Sequence, residues 1–132
     1  MFLWNDSYKV GVEEIDRQHE KLFSLLRDLH DAVTVGKGRT VVKQVLDGVV
    51  AYTKEHFATE ERLMQKYDYA DFAAHKHMHD SLVAQAHQLQ EKTQHSALTL
   101  SMEVMKFLES WIAHHISEAD RKLGHYLSSK GV

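Results

Sequence analysis

The sequence predicts an all-α protein, an up-down-up-down antiparallel four-helix bundle that begins with an extended N-terminal segment. Three observations lead to this fold class. Apolar residues recur at helical spacing in four stretches, the connections between those stretches are short, and the 132 residues contain no proline to break a long helix. Short connections make successive helices antiparallel neighbours, and the length suits a single domain covering residues 1–132.

The first two predicted helices cover approximately residues 16–35 and 40–66. Asp16 is the predicted N-cap of the first helix, and residues 36–38 carry the glycines of a turn. Gly48 lies inside the second helix, where it costs about 1 kcal/mol relative to alanine. The apolar stripes consist of Leu22, Phe23, Leu26, Leu29 and Val33 in the first helix, and of Val42, Val45, Leu46, Val49 and Leu63 in the second.

The third and fourth predicted helices cover approximately residues 70–92 and 98–123. An aromatic turn at residues 67–69 precedes the third helix, and a polar break at residues 93–96 precedes the fourth. Their apolar stripes consist of Phe72, Leu82, Ala86 and Leu89, and of Leu100, Val104, Leu108 and Trp111.

The composition narrows the classes of function. Eleven histidines are the outlier and indicate metal chemistry or pH sensing. The chain has no cysteine, which excludes disulfides, thiolate ligands and iron–sulfur clusters. A net charge of −3 without a basic patch argues against a nucleic-acid partner. Since the N-terminus lacks a signal peptide and no long apolar run follows, we expect a cytoplasmic monomer without stable membrane insertion.

Seven histidines and carboxylates occupy positions at which the helical period calls for an apolar side chain. In an antiparallel bundle they all fall at one end, within roughly one to two helical turns of ~5.4 Å each. Buried imidazoles and carboxylates need partners, and a metal centre would satisfy all of them together. These residues are His19, His56, Glu60, His75, His79, His115 and Asp120.

The spacing of these residues bears on the kind of metal site. Residues four apart share a helix face, but His115 and Asp120 are five apart, so we expect a local distortion or a sideways reach of Asp120. Two six-coordinate ions offer about twelve positions. Five imidazoles, two bridging carboxylates and one bridging oxygen atom would fill about eleven of them and leave one for a small ligand. Nitrogen-rich ligation without thiolate suits iron.

The seven residues lie within longer motifs that follow one another along nearly the whole chain. These motifs are Trp4, Val10-Gly11, Ile15-Asp16-x-Gln18-His19, His56-Phe57-x-x-Glu60-Glu61, His75-x-x-x-His79 and Trp111-Ile112-x-x-His115-Ile116-x-x-x-Asp120. In this ordered set the chain resembles the hemerythrin family, and specifically its bacterial members. The resemblance implies reversible O2 binding, rather than catalysis, at two oxo- or hydroxo-bridged iron ions.

The resemblance also implies a role for each of the seven residues. His75, His79 and His115 would hold one iron, and His19 and His56 the iron that keeps a position for oxygen, while Glu60 and Asp120 would bridge the two.

Further roles concern the surroundings of the two ions. Ile112 matches the family position that lines the oxygen pocket, and Trp111 would form a wall of the site. Asp16 would accept the free ring N–H of His19. Glu61 and Arg62 are interpreted as solvated charges. Six histidines match no ligand position: His30, His77, His87, His95, His114 and His125.

Several functions remain open at this point. A ferritin-like oxidase is disfavoured because the chain contains no Glu-x-x-His, and seven ligands are too many for one tetrahedral zinc ion. Oxygen carriage, storage or delivery is the first hypothesis. The alternatives are an oxygen or redox sensor, or a scavenger of O2, peroxide or nitric oxide. Because the chain ends seven residues after His125, we expect a stand-alone binder.

Overall fold

A computed structural model describes residues 3–36, 39–95 and 102–132, which form an all-α four-helix bundle without strands in those ranges. The helix α1 packs against α2 and α4, and α2 also packs against α3. A π-helical turn continues α4 into α5, and the backbone stays helical on both sides of that turn. The helices are α1 (Glu13–Val35), α2 (Arg39–Lys66), α3 (Phe72–His95), α4 (Met102–His115), the π-helical turn (Ile116–Asp120) and α5 (Arg121–Ser129).

The N-terminal segment contains one 3-10 turn at Asp6–Tyr8, flanked by extended backbone at Asn5 and Lys9, and Gly11 has a positive φ of 91°. It leads into α1 through Val12, which is the N-cap residue and makes no side-chain cap hydrogen bond. The prediction of Asp16 as N-cap was wrong, because α1 begins three residues earlier. Asp16 lies in the first turn, where its carboxylate accepts from the backbone N–H groups of Val10 (2.7 Å) and Gly11 (3.3 Å). It thereby ties the N-terminal segment to α1.

Turn residues determine where α1 ends and where α3 begins. Gly36 ends α1 in the left-handed conformation with φ 71°, and its N–H donates to the carbonyls of Ala32 and Val33. The third helix begins at Phe72, later than predicted, because residues 70 and 71 are part of the turn that follows α2. Residues 37–38 and 96–101, including the predicted stripe residue Leu100, lie outside the described residues, as does the side chain of Val104.

The fourth predicted helix continues past residue 123, where the sequence suggested an end. Gly124 is buried inside α5, and a Cβ atom there would lie 2.2 Å from the carbonyl oxygen of Val10. Glycine therefore serves close packing between α5 and the N-terminal segment. Gly48 has the opposite environment, since among the described residues no atom outside its own stretch of helix lies within 4 Å of a Cβ at that position.

The interior of the bundle is apolar over most of its length. Its fully buried side chains include Phe23, Leu26, Leu29, Leu46 and Met64. At one end this apolar interior gives way to the histidines and carboxylates described below. Within the described ranges, no helix combines the length and the apolar character that crossing a bilayer requires.

Candidate metal centre

All seven predicted residues lie together in the interior at one end of the bundle. Each has at most 5% of its surface exposed. Their donor atoms form two groups, and within each group the atoms lie within 4.8 Å of one another. The first group contains three histidines, His75, His79 and His115, and the second contains two, His19 and His56. Glu60 and Asp120 belong to both groups.

Glu60 presents a different oxygen atom to each group. Its Oε1 lies 3.0 Å from Nε2 of His79 and 3.3 Å from Nε2 of His75. Its Oε2 lies 3.1 Å from Nε2 of His56 and 3.4 Å from Nε2 of His19. The carboxylate therefore spans the two histidine groups.

Asp120 repeats this arrangement from the opposite helix. Its Oδ1 lies 3.0 Å from Nε2 of His75 and 3.3 Å from Nε2 of His115, whereas its Oδ2 lies 3.0 Å from Nε2 of His19. The π-helical turn accounts for its position. On a straight α-helix, residues five apart point about 140° away from each other. The wider turn between His115 and Asp120 brings both side chains to one face, which confirms the predicted local distortion.

The facing atoms are close, yet few of them are hydrogen bonded. Only the contact between His75 Nε2 and Glu60 Oε1 has hydrogen-bond geometry. Among the described residues, the facing Nε2 atoms of the other four histidines, Oε2 of Glu60 and both carboxylate oxygens of Asp120 have no hydrogen-bond partner. Ligand atoms that bind the same cation at about 2.1 Å, with right angles between their bonds to it, lie about 3 Å apart without being hydrogen bonded to each other. The residues present therefore fit metal ions.

The charges of the cluster compensate one another. Burial alone would lower the pKa of His19, but its contacts with Asp120 and Glu60 raise it to about 9. The same causes raise the pKa of His75 to about 9. Burial acts to raise the pKa of Glu60, yet the imidazoles around it hold that pKa well below its ordinary value. The pKa of Asp120 is also held down by neighbouring imidazoles, against burial and the charge of Glu60. A bound cation would replace the protons of His19 and His75.

Two hydrogen bonds from outside the cluster orient the rings of two of its histidines. The helical periodicity of the sequence alone does not reveal them. Nδ1 of His56 lies 2.7 Å from Oε1 of Gln18, and Nδ1 of His79 lies 3.0 Å from Oε2 of Glu61. The interpretation of Glu61 as a solvated charge was therefore wrong. Each bond places the N–H on Nδ1 and leaves Nε2 facing the cluster.

The hydrogen bond expected between Asp16 and His19 is not formed. The carboxylate of Asp16 is taken up by the backbone N–H groups of the N-terminal segment. Within the described part of the chain, Nδ1 of His19 has no hydrogen-bond partner. The free ring N–H of His19 faces no carboxylate because Asp16 turns toward the loop that precedes its helix.

Aromatic rings pack against two of the histidines. Phe57 stacks on His79, with ring centroids 3.8 Å apart and planes inclined by 2°. Trp111 stacks on His115, with centroids 5.2 Å apart and planes inclined by 14°. These contacts restrict ring rotation and exclude water from one side of the cluster.

A small cavity lies against the two-histidine group. His19 and His56 line it, whereas His75 and His79 do not. It offers about 10 Å³ to the centre of a water-sized molecule, which is room for one ligand of that size. The rest of the wall consists of His115 and Asp120 together with the apolar and aromatic residues Leu22, Phe57, Leu82, Trp111, Ile112 and Ile116. Ile112 and Trp111 thus lie where a ligand pocket was expected.

The other histidines whose side chains the structure describes lie outside the cluster. His77, His87, His114 and His125 are exposed, and the side chain of His95 lies outside the described residues. His30 is half-buried and its Nδ1 lies 3.0 Å from Oε1 of Glu109.

Comparison with known proteins gives consistent matches over most of the chain. Residues 10–127 match the family model described as the hemerythrin HHE cation binding domain. A bacteriohemerythrin of Methylococcus capsulatus is 38% identical over 114 residues, which cover 86% of this chain and 86% of that protein. A hemerythrin-like protein of Naegleria gruberi is 34% identical over 121 residues, covering 92% and 89%.

A solved structure has the same fold. The wild-type crystal structure of a hemerythrin superposes with a TM-score of 0.89 at 35% sequence identity, over 95% of this chain and 96% of that one.

Proposed function

Since this chain belongs to the hemerythrin HHE cation binding domain family, we propose that it binds O2 reversibly at a non-haem pair of iron ions. We further propose that His75, His79 and His115 hold one iron, that His19 and His56 hold the other, and that Glu60 and Asp120 bridge them. The pair would supply the two electrons that O2 takes up on binding and returns on release. The whole of residues 1–132 would form the single domain that carries this site.

The observation that carries the proposal is the double orientation of the two carboxylates. Glu60 has Oε1 beside the three-histidine group and Oε2 beside the two-histidine group, and Asp120 divides its oxygens in the same way. Two separate mononuclear sites would not need shared carboxylates. Two ions held close together would need carboxylates that reach both of them.

The cavity supports O2 as the ligand. Both histidines of the two-histidine group line it, whereas His115 is the one member of the three-histidine group among its lining residues, so a ligand entering it lies beside the position with fewer histidines. Its wall is mostly apolar and its size fits one small molecule. Such a cavity favours O2 over water because water would find few polar partners there.

The same wall favours binding over catalysis. Among its described residues, the only titratable groups are His19, His56, His115 and Asp120, all of which belong to the cluster itself. In the part of the chain that the structure describes, this wall holds no additional acid to donate a proton to bound oxygen, as cleavage of an O–O bond would require. We therefore propose carriage, storage or delivery of O2.

The optical spectrum of the iron-loaded, reduced protein tests this function. We expect a colourless protein that gains a visible band in air and loses it on degassing, with about two iron ions per chain by metal analysis. An absent band would refute the iron assignment. Irreversible oxidation would favour a sensor, and continuous consumption of O2, peroxide or nitric oxide with a reductant would favour a scavenger.

A further inference from the structure

The three-histidine group has a charged hydrogen-bond acceptor behind one of its rings. Nδ1 of His79 lies 3.0 Å from Oε2 of Glu61, and the side chain of Glu61 is only 22% exposed. Its second oxygen, Oε1, lies 3.4 Å from Nζ of Lys76. That ammonium also lies 3.0 Å from Oδ1 of Asp80, so Glu61 is held in place by a charged network on α3.

The two-histidine group has a neutral acceptor in the corresponding place. Oε1 of Gln18 lies 2.7 Å from Nδ1 of His56, and Nε2 of Gln18 donates to Oγ1 of Thr59 at 3.1 Å. The hydroxyl of Thr59 donates in turn to the carbonyl of Glu55 at 3.3 Å. This chain of donors fixes the amide of Gln18 with its oxygen toward His56, which holds the N–H of that ring on Nδ1.

The two acceptors act differently on the rings that they orient. A carboxylate that accepts the N–H of a ligand imidazole increases the electron density on the metal-binding nitrogen and raises its basicity. Hydrogen bonds to an ionised acceptor are roughly twice as strong as those to a neutral one. His79 is therefore the stronger electron donor of the two, and stronger donation favours the more highly charged ion.

We propose that Glu61 and Gln18 are positioning residues that make the two metal positions electronically unequal, so that the three-histidine position holds the ferric ion more tightly. The inference rests on the proposed di-iron function and deepens it. Glu61 orients the ring of His79 and Gln18 orients the ring of His56, but of these two residues only Glu61 carries a charge. The pocket-side position thus keeps the higher reduction potential.

Two isosteric substitutions test the inference by redox titration of the iron-loaded protein. Glu61→Gln should raise the mean reduction potential, and Gln18→Glu should lower it, while both should narrow the separation between the two one-electron steps. A tenfold change in preference for ferric over ferrous iron corresponds to about 59 mV for one electron. Glu61→Gln should also weaken metal binding about 10- to 100-fold.

Glu13→Gln is the matched control. It removes the same charge from an exposed residue whose carboxylate pairs with Arg17, and it should leave both potentials unchanged. A shift in Glu61→Gln no larger than that of the control would overturn the inference. If Glu61→Gln does not retain iron, Gln18→Glu decides the matter, since an unchanged or raised potential there contradicts the inference. Failure of the proposed function is separate, because it would appear in the wild-type protein itself, as a missing iron pair or as an oxygen band that degassing does not reverse.

Discussion

The phenyl ring of Phe57 lies parallel to the imidazole of His79, 3.8 Å away between centroids. Phe57 precedes Glu60 by about one turn of α2, whereas His79 comes from α3. Together with the hydrogen bond to Glu61, this stacking holds the ring from its face and from its edge. The orientation of the His79 ring therefore depends on packing as well as on hydrogen bonding.

Replacing Phe57 by leucine should weaken metal binding several-fold while the bundle stays folded. The substitution removes the flat contact with His79 and costs about 1–2 kcal/mol of stability. Metal affinity, measured by competition with a chelator, checks the expectation. Phe23→Leu is the control, because Phe23 packs against Trp4 and Tyr8 and should lose stability with little change in affinity. Equal affinities in the two variants would contradict a role for the stacking.

The proposed bridging role of Glu60 predicts that Glu60→Gln prevents assembly of the proposed metal pair. The amide keeps the shape but loses the charge that faces both histidine groups, so iron per chain should fall by at least about half. Glu109→Gln provides a matched change, since Glu109 is also a buried carboxylate but pairs with His30 outside the cluster. The iron content of both variants, measured by metal analysis, tests this prediction. A Glu60→Gln protein with full iron and a normal oxygen spectrum would count against the bridge.

Chelation should destabilise the protein, and by an amount that depends on pH. In the chelated protein the pKa of His19 and of His75 is about 9, above the ordinary value of about 6.5. Their stabilising contribution is complete below pH 6.5 and is lost as the pH rises through 9. The lowered pKa of Glu60 and of Asp120 means that their contribution is present above their ordinary values and lost in stronger acid.

The loaded protein should show the opposite trend above pH 6, because metal binding needs unprotonated ligands. The difference in melting temperature between loaded and chelated protein should therefore grow from pH 6 to pH 9. A metal concentration of 100 times Kd adds about 2.7 kcal/mol. Thermal melts across this pH range test the prediction. Coinciding melting curves for the two forms, or a chelated protein that gains stability toward pH 9, would sink it.

The wall of the cavity predicts an effect of Ile112 on access to the two-histidine group. Ile112→Ala enlarges the space beside His19 and His56, which should admit water and speed the irreversible oxidation of the oxygen-bound protein. Leu108→Ala removes a side chain of similar size one turn earlier, away from this cavity. Both variants should lose about 2–5 kcal/mol of stability, but only Ile112→Ala should oxidise faster. Equal rates of loss of the visible band would argue against control of access by Ile112.

The surroundings of Gly124 and of Gly48 predict opposite effects of alanine substitution on the stability of the protein. Gly124→Ala places a Cβ 2.2 Å from the carbonyl oxygen of Val10, which should cost at least about 1–3 kcal/mol. Gly48→Ala lies in the middle of α2, where its Cβ has no neighbour within 4 Å from the described part of the other elements, and it should stabilise the protein by about 0.5–1 kcal/mol. Chemical denaturation measures both. If Gly124→Ala proved as stable as the wild type, the segment would have to be free to move away.

The convergence of the seven polar residues could be predicted because the helical period and the antiparallel order together determine depth and face. The outer hydrogen bonds could not be predicted so easily. Whether Glu61 meets solvent or His79 depends on the rotation of α2 against α3, which periodicity does not specify. Asp16 was placed on the correct helix, but its partner is the preceding loop, whose path no helical pattern describes. The fourth helix was predicted to end at about residue 123, and its continuation through Gly124 brings a contact with Val10 that depends on the path of the N-terminal segment.

The π-helical turn between His115 and Asp120 acts as one extra residue that an otherwise continuous helix accommodates locally. Deleting one residue from 116–119 would allow a regular α-helix and place the two side chains four positions apart. The five residues of the wide turn cover about the same angle as four residues of an α-helix, so Leu123, Gly124 and Leu127 would stay in the interior after such a deletion. One further residue added to the segment would instead rotate everything after it by about 100° about the helix axis and turn Asp120 away from the histidines.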